Sequence, residues 1–234
     1  MRMFNKINHQ YRWLANQTID WLPSDDEGSY INHLKTHNQL LQDNNWIDKK
    51  FTYKFNSHGF RCEEFTAEPN VIFLGCSHTF GMGVPIENTW TYLVSQRLKL
   101  NMINLGVPGA GPDTAFRLAN HYIPQLQPKI VIYLQPQDSR FCLFRKNDFL
   151  EFNAWHTNHD NYPDFYADWA TNDENLKLHG LKHKLAIEAI CNQNNIKFIT
   201  LTVDHFVLID FARDLAHHGV ESSSRFANKV LGYI

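Results

Sequence analysis

The chain has 234 residues, with 22 Lys and Arg against 24 Asp and Glu and a formal net charge of −2. This length suffices for one sizeable hydrophobic core, alone or with a small appendage. The near-neutral charge indicates neither a nucleic-acid groove nor a polybasic membrane surface, so no nucleic-acid partner is expected.

No signal peptide is expected at the start of this sequence. Its first residues, MRMFNKINHQYRWLANQ, lack an apolar h-region and a small-residue cleavage site, which argues against a signal peptide. No run approaches the roughly 20 apolar residues of a membrane span. The four Cys residues are widely spaced and form no CxxC pair, a pattern typical of reduced thiols. We therefore expect a cytoplasmic protein without a membrane span.

Residues 1–50 are polar and rich in Asn, Gln and His. Apolar residues between Phe4 and Ile19 recur at roughly helical spacing, and residues 30–42 show a second weak helical pattern. Residues 23–28, PSDDEG, give a loop signal between the two. We predict a helical N-terminal extension over residues 1–50 that packs on the main domain or docks a partner.

The main domain is expected over residues 51–234, where short apolar runs alternate with helical patterns. A first strand is predicted within residues 51–60. Four almost wholly apolar strands are predicted at residues 71–75, 102–106, 129–135 and 196–203. Helices are predicted at residues 87–98, 112–126, 174–194 and 222–231. This alternation predicts an α/β fold, a three-layer α/β/α sandwich around a parallel flavodoxin-like sheet, with its site at the carboxyl ends of the strands.

Residues 138–173 are too long for an ordinary connection between a strand and a helix. They are rich in aromatic residues, which argues against disorder. Two interpretations stay open: a lid or substrate wall, or a folded insertion with a small core of its own.

Ser77 is the first candidate site residue. In VIFLGCSHTFGMGV (residues 71–84) an apolar strand ends at Gly75 and delivers Ser77 into a Gly-rich turn ahead of a helix. The strand fixes the backbone, the glycines permit close approach, and the following amides can meet a developing negative charge. This pattern favours a nucleophile, although a Ser in such a turn can also serve only as a helix cap.

Asp214 and His217 are candidate partners for that nucleophile. They stand three residues apart, after the last strand and before the last helix. On a tight turn this spacing lets the carboxylate accept from one imidazole nitrogen while the other faces outward. A base oriented by a carboxylate is what an activated Ser requires.

Taken in order, these motifs resemble those of the SGNH hydrolases, also called the GDSL esterase and lipase family. GCSHTFG (residues 75–81) is similar to the first block, GDSxTxG. INLGVPGAG (residues 103–111) is similar to the second block, N-x-G-x-x-G, whose later Gly falls on Gly109. Asp214-Leu-Ala-His217 is similar to the final D-x-x-H. The segment FTYKFNSHGFR (residues 51–61) also resembles one often found before the first block, so the resemblance covers residues 51–234.

The resemblance implies a role for each matched residue. Ser77 would be the nucleophile, His217 the base, and Asp214 the group that orients it. The oxyanion hole would consist of the backbone N–H groups of Ser77 and Gly109 and a side-chain amide. The third block, usually G-x-N-D, is QPQD here (residues 135–138), so Gln137 stands at the position of that amide.

Further residues were assigned less directly. His78, beside the nucleophile, is expected to form a wall of the pocket, and Arg140 and Trp155 are expected to contact substrate. Cys76 replaces the first-block Asp, which is not the triad acid. Two helix-spaced pairs, His33 with His37 and His179 with His183, have the spacing of metal ligands. No acidic or Cys third ligand accompanies either pair at a telling spacing, so no metal site is predicted.

The sequence thus predicts a serine ester hydrolase that acts through an acyl-enzyme, without a metal, nucleotide or other cofactor. The expected substrate is a small-molecule or carbohydrate ester with a short acyl group, such as an O-acetyl sugar. Transfer of the acyl group to another alcohol stays open. The alternative is a non-catalytic carbohydrate- or partner-binding module that retains the fold. It predicts that the three side chains of the triad lie beyond hydrogen-bonding reach. The oligomeric state is not predicted.

Overall fold

The structure is a computed structural model that describes residues 5–144, 149–153 and 164–234. Its strands are β1 (Thr18–Ile19), β2 (Tyr53–Lys54), β3 (Asn70–Leu74), β4 (Asn101–Asn104), β5 (Ile130–Gln135), β6 (Phe141–Phe144), β7 (Phe149–Phe152) and β8 (Lys197–Thr202). Its helices are α1 (Glu27–Thr36), α2 (Asn38–Asp43), α3 (Ser77–Phe80), α4 (Trp90–Leu98), α5 (Pro112–Leu126), α6 (Asp164–Ala170), α7 (Asp173–Gln193) and α8 (Val220–Leu231).

Four parallel strands form the central sheet in the order β4-β3-β5-β8. In this register Phe73 pairs with Asn104 on one side and with Ile132 on the other. The first strand of the sheet therefore lies between the second and the third, as in flavodoxin-like sheets. The parallel α/β/α arrangement predicted from the alternating elements is confirmed.

Helices cover both faces of this sheet, and the strand sequence explains why. Successive side chains of a strand point to opposite faces, so a strand covered on both sides is apolar at every position. Ile72 of β3 packs in the cluster that contains residues of α5 and α7. Phe73 packs in the opposite cluster, with Trp90 of α4 and Phe226 of α8.

Residues 5–50 differ from their predicted structure. The helix expected between Phe4 and Ile19 is wrong within the described residues: one 3₁₀ turn (Arg12–Leu14) leads to β1, which pairs antiparallel with β2. Tertiary contacts override the weak helical pattern, because Leu14 is fully buried in the core cluster of the sheet. The second helical pattern is divided into α1 and α2 by a non-helical residue, His37.

Boundaries elsewhere shift by a few residues. The strand expected within residues 51–60 is only β2, two residues long. Helix α4 begins at Trp90 rather than at residue 87, because Thr89 caps it by accepting from the backbone N–H of Tyr92. Residues 86–88 form a separate 3₁₀ turn.

The long connection after β5 is a folded insertion where it is described. Strands β6 and β7 form an antiparallel hairpin, with Phe141 opposite Phe152 and their rings stacked at 4.6 Å. Tyr166 of α6 is fully buried against both rings. These contacts favour a small aromatic core of its own. None of the described helices combines the length and apolar character needed to cross a membrane.

Candidate active site

Ser77 lies at the junction between β3 and α3. The strand ends at Leu74, and Gly75 and Cys76 turn the backbone so that the helix begins at Ser77 itself. Only Gly fits at position 75: its φ is +155°, and an added Cβ would lie 2.7 Å from the carbonyl oxygen of Leu134 on β5. The turn thus places a Ser hydroxyl at the carboxyl end of the sheet.

His217 and Asp214 meet Ser77 in a continuous hydrogen-bonded chain. Nε2 of His217 lies 2.9 Å from Oγ of Ser77. Nδ1 of His217 lies 2.5 Å from Oδ2 of Asp214. The other carboxylate oxygen of Asp214 accepts from the backbone N–H groups of Ala216 and His217. Because Nδ1 must donate to the carboxylate, Nε2 of the neutral ring is the acceptor for the Ser77 hydroxyl.

The turn that carries Asp214 approaches the loop after α3 closely because Gly83 has no side chain. The backbone N–H of Arg213 donates to the Gly83 carbonyl at 3.0 Å. With φ at +74°, a Cβ on Gly83 would lie 2.7 Å from Cβ of Ala212. The turn itself closes through Leu215, in the left-handed region with φ at +53°. A side chain at position 83 would therefore displace the carboxylate from His217.

Asp214 is held as the anion in spite of its burial. Burial alone opposes ionisation, but the hydrogen bond and charge of His217 and the backbone N–H groups of Ala216 and His217 outweigh it. The net effect is that the pKa of Asp214 lies below its usual value. An ionised Asp214 fixes the orientation and the tautomer of His217.

His78 and His218 form a second imidazole pair beside this chain. His218 Nε2 donates to the carbonyl of Phe206 at 2.8 Å, so its Nδ1 accepts from Nδ1 of His78 at 3.1 Å. Burial first, and then the neighbouring imidazoles, lower the pKa of His78 to about 3. His78 is therefore neutral at neutral pH, and it lines the cavity in front of Ser77.

Gly109 lies at the same end of the sheet, on the loop between β4 and α5. Its φ of +79° is in the region that favours Gly. Asn104 shapes this loop: its side-chain oxygen accepts from the backbone N–H of Gly106, and its amide donates to the carbonyl of Thr79 in α3. Asn104 thus ties the Gly109 loop to the helix of Ser77, a positioning role that the sequence analysis did not assign.

A cavity of about 750 Å³ opens in front of Ser77 and His217. Among the described residues its walls come from three parts of the chain. The N-terminal part contributes Asn8, His9, Gln10, Tyr11, Trp13, Pro23 and Ser24; the strand ends contribute His78, Pro108, Gly109 and Arg140; and the insertion contributes Leu150, Glu151 and Asn153. Residues of the predicted N-terminal extension therefore line the cavity in front of Ser77.

Asp25 connects these N-terminal residues to the Asp214 turn. Its carboxylate accepts from Nε and Nη2 of Arg213 at 3.0 and 2.7 Å, and both side chains are buried. Tyr53 also donates to Asp25, and its hydroxyl accepts from the backbone N–H of Gly83 at 2.9 Å. One buried network therefore holds the turn that carries Asp214 and the loop that carries Gly83. No sequence signal pointed to it.

The remaining predicted site residues fall in different places. Arg140 is buried and lines the cavity. Gln137 is exposed and is not among the described residues that line it. The reason is the turn after β5, closed by the backbone N–H of Arg140 donating to the Gln137 carbonyl, which leaves Gln137 on the outside. The expected third donor is thus not in place. Trp155 lies outside the described residues.

A second constellation of Asp and His lies between α5 and α7. His183 Nε2 is 2.9 Å from Oδ1 of Asp113, and His179 Nε2 is 3.6 Å from Oδ2. The sequence predicts no acidic residue beside this His pair, and the structure places Asp113 there. Asp113 comes from another helix, so spacing along the chain could not show it.

No protein-family model matches the chain, and no curated protein matches its sequence. Among solved structures it is similar to a psychrotrophic esterase from Pseudoalteromonas sp. (10% identity, 70% of this chain and 96% of that one, TM-score 0.37). It is also similar to a carbohydrate acetylesterase from Sinorhizobium meliloti (12%, 71% and 100%, TM-score 0.38) and to an acetyl xylan esterase (17%, 70% and 99%, TM-score 0.36).

Proposed function

We propose that the chain is a serine ester hydrolase of the SGNH type that works through an acyl-enzyme. The observation that carries the proposal is the chain of contacts from Ser77 Oγ through His217 to Asp214, at 2.9 and 2.5 Å, opening on a cavity. The alternative, a non-catalytic binding module, predicts that the three side chains lie beyond hydrogen-bonding reach. The distances of 2.9 and 2.5 Å favour the hydrolase instead.

The first half-reaction forms the acyl-enzyme. Ser77 Oγ attacks the ester carbonyl carbon while Nε2 of His217 removes its proton. Asp214 stabilises the imidazolium that results. When the tetrahedral intermediate collapses, the bond from carbon to the leaving oxygen breaks, and His217 gives its proton to the alcohol that departs.

The second half-reaction returns the free enzyme. Water enters the position of the alcohol, His217 Nε2 removes a proton from it, and the hydroxide attacks the acyl carbon. Collapse of this intermediate releases the carboxylic acid, and the proton on His217 returns to Ser77 Oγ. Exclusion of water at this stage would favour transfer of the acyl group to another alcohol.

The negative charge that develops on the carbonyl oxygen needs hydrogen-bond donors. Helix α3 begins at Ser77, so its first N–H groups have no acceptor within the helix. We assign the backbone N–H groups of Ser77 and Gly109 to this role. Gln137 is not required in this scheme, because its side chain lies outside the cavity.

The cavity suits a small polar substrate. A volume of about 750 Å³ lies in the range of ligand pockets. Asn8, Gln10 and Asn153 supply amides for hydroxyl groups, and Trp13, 65% exposed, offers a ring face at the wall. A short-acyl ester of a carbohydrate, such as an O-acetyl sugar, matches this combination.

The test is hydrolysis of p-nitrophenyl acetate by the full chain beside Ser77→Ala and His217→Ala. Removing either residue of such a triad lowers kcat by roughly 10⁶-fold. The control is His205→Ala, whose imidazole, among the described residues, bonds only to Thr202 in its own turn. Equal rates for the wild type and both triad variants, with folding verified by thermal unfolding, would overturn the proposal in favour of the binding module.

A further inference from the structure

We propose that Asp113, His179 and His183 form a binding site for a divalent transition metal, with Zn²⁺ as the representative ion. Asp113 lies in the first turn of α5, and the two imidazoles lie one turn apart on α7. The site would join these two helices on one face of the sheet. It stands apart from the Ser77 chemistry and does not depend on the proposed hydrolase function.

The three side chains already converge to the size of a metal site. One ligand atom from each lies within 4.8 Å of the others. The contacts of Asp113 with His183 and with His179 measure 2.9 and 3.6 Å. A tetrahedral ion with bonds of about 2.0–2.1 Å separates neighbouring ligand atoms by roughly 3.3 Å. Small side-chain rotations therefore suffice to close the ligands around an ion.

Both ring nitrogens of His183 face hydrogen-bond acceptors. Nδ1 of His183 lies 2.8 Å from the carbonyl oxygen of His179, an acceptor, so Nδ1 carries the hydrogen. In a neutral ring Nε2 is then a lone pair, 2.9 Å from a carboxylate oxygen of Asp113. Two acceptors at this distance need a proton or a cation between them. A ring nitrogen held by a backbone carbonyl is also the usual support of a metal-bound His.

The imidazole of His179 also contacts a backbone carbonyl oxygen. This buried imidazole has its Nε2 at 3.2 Å from the carbonyl oxygen of Arg140. An ion bound at Nε2 would replace this hydrogen bond. Two imidazoles and one carboxylate, with the fourth position open to water, suit zinc and its first-row neighbours. They supply too few oxygens for Ca²⁺, which takes six to eight.

The carboxylate of Asp138 lies near the cluster, where it would help to balance the charge of a dication. Asp138 packs against α7 beside His179, at Gly180: a Cβ on Gly180 would collide with its carboxylate. The amide of Gln135 donates to Asp138 at 2.7 Å and holds it in this position. Asp138 would thus add its negative charge near an ion held by Asp113 and the two imidazoles, without being one of the converging ligands.

The site lies behind the cavity wall rather than in the cavity. Arg140, whose carbonyl contacts His179, lines the cavity with its own side chain. Gly111, two residues before Asp113, packs against the Arg140 backbone so closely that a Cβ would lie 2.4 Å from its carbonyl oxygen. A bound ion would therefore stabilise the wall and raise the unfolding temperature without taking part in the chemical step.

The experiment is calorimetric titration of the chelator-treated full chain with Zn²⁺. We expect one equivalent to bind, with the affinity falling by at least about 100-fold in Asp113→Asn and in His183→Gln, because even indirect partners of a metal cost about 10–100-fold. The matched control is His33→Gln, from the pair of His33 on α1 and His37 just after it, which has the same spacing and rings 5.5 Å apart. This variant should bind like the wild type.

Three results would overturn the proposal. They are no stoichiometric Zn²⁺ binding by the wild type, undiminished binding in both cluster variants, or loss of binding in His33→Gln. Thermal unfolding without metal shows whether each variant is folded, and addition of Zn²⁺ should raise the melting temperature of the wild type and the control only. If one cluster variant does not fold, the wild-type stoichiometry and the other variant still decide. Esterase activity enters none of these measurements.

Discussion

The molecule contains two arrangements of Asp and His that differ in what each imidazole nitrogen faces. At the active-site candidate, one nitrogen of His217 faces the Asp214 carboxylate and the other faces the hydroxyl of Ser77, a donor. Between α5 and α7, one nitrogen of His183 faces the carbonyl of His179 and the other faces the Asp113 carboxylate, so both meet acceptors.

This difference separates two chemistries that the same residue types can support. A ring between an acceptor and a donor can pass a proton from the donor and return it. A ring between two acceptors keeps a proton or shares a cation. The presence of Asp beside His is therefore a weak indicator of function. The partner of the second ring nitrogen determines whether the imidazole can transfer a proton or instead keeps a proton or shares a cation.

The largest expected effect compares the two carboxylates directly. Asp214→Asn should lower kcat for p-nitrophenyl acetate by about 10⁴-fold, because the amide no longer holds His217 in the required tautomer. Asp113→Asn should leave kcat within about threefold of the wild-type value, because the imidazoles that Asp113 contacts, those of His179 and His183, do not touch Ser77. Steady-state kinetics on both variants gives the ratio. Similar losses in the two would mean that the arrangements are not functionally separate.

The next effect concerns the support of the active-site arrangement. Asp25→Ala removes the buried partner of Arg213 and should cost about 3–5 kcal/mol of unfolding free energy, because a buried guanidinium is left uncompensated. Activity should fall as well, since Arg213 precedes Asp214. Urea unfolding measures the loss.

The exposed ion pair between Glu221 and Arg225 provides the control for this stability measurement. Both side chains are more than half exposed, so Glu221→Ala should cost less than about 1 kcal/mol. A loss for Asp25→Ala that is no greater than for this control would contradict the role of the buried network.

How far the sequence predicts each region depends on how local its contacts are. Ser77 and the Asp214 turn could be located because each is a short motif at the end of a strand. Asp25 and Arg213 are 188 positions apart, and Asp113 and His183 lie on different helices, so only the folded chain brings them together. The apolar strands could be predicted because burial on both faces leaves an unbroken apolar run. The helix predicted around Leu14 does not form, because tertiary burial overrides a weak helical period.

A smaller effect is the dependence of stability on pH. Burial lowers the pKa of His9 to about 4 from its ordinary 6.5. Its folded pKa is thus below its unfolded one, so as pH falls from 6.5 the unfolded chain takes up the proton first. Stability should be fully present above pH 6.5 and decline toward pH 4, by on the order of 3 kcal/mol for His9. Urea unfolding at several pH values should show a flatter decline for His9→Gln. An unchanged slope would contradict the assignment.

The smallest expected effect tests which donors the active-site arrangement uses. Loss of one oxyanion donor costs about 10²–10³-fold in kcat. Gln137 is exposed and outside the cavity, so Gln137→Ala should change kcat by less than about threefold. Asn104→Ala should do more, because Asn104 holds the Gly109 loop against α3. A loss of 10² or more in Gln137→Ala, with KM unchanged, would mean that the turn after β5 moves inward when substrate binds. Gln137 would then be a third donor to the oxyanion, brought into the cavity by that movement.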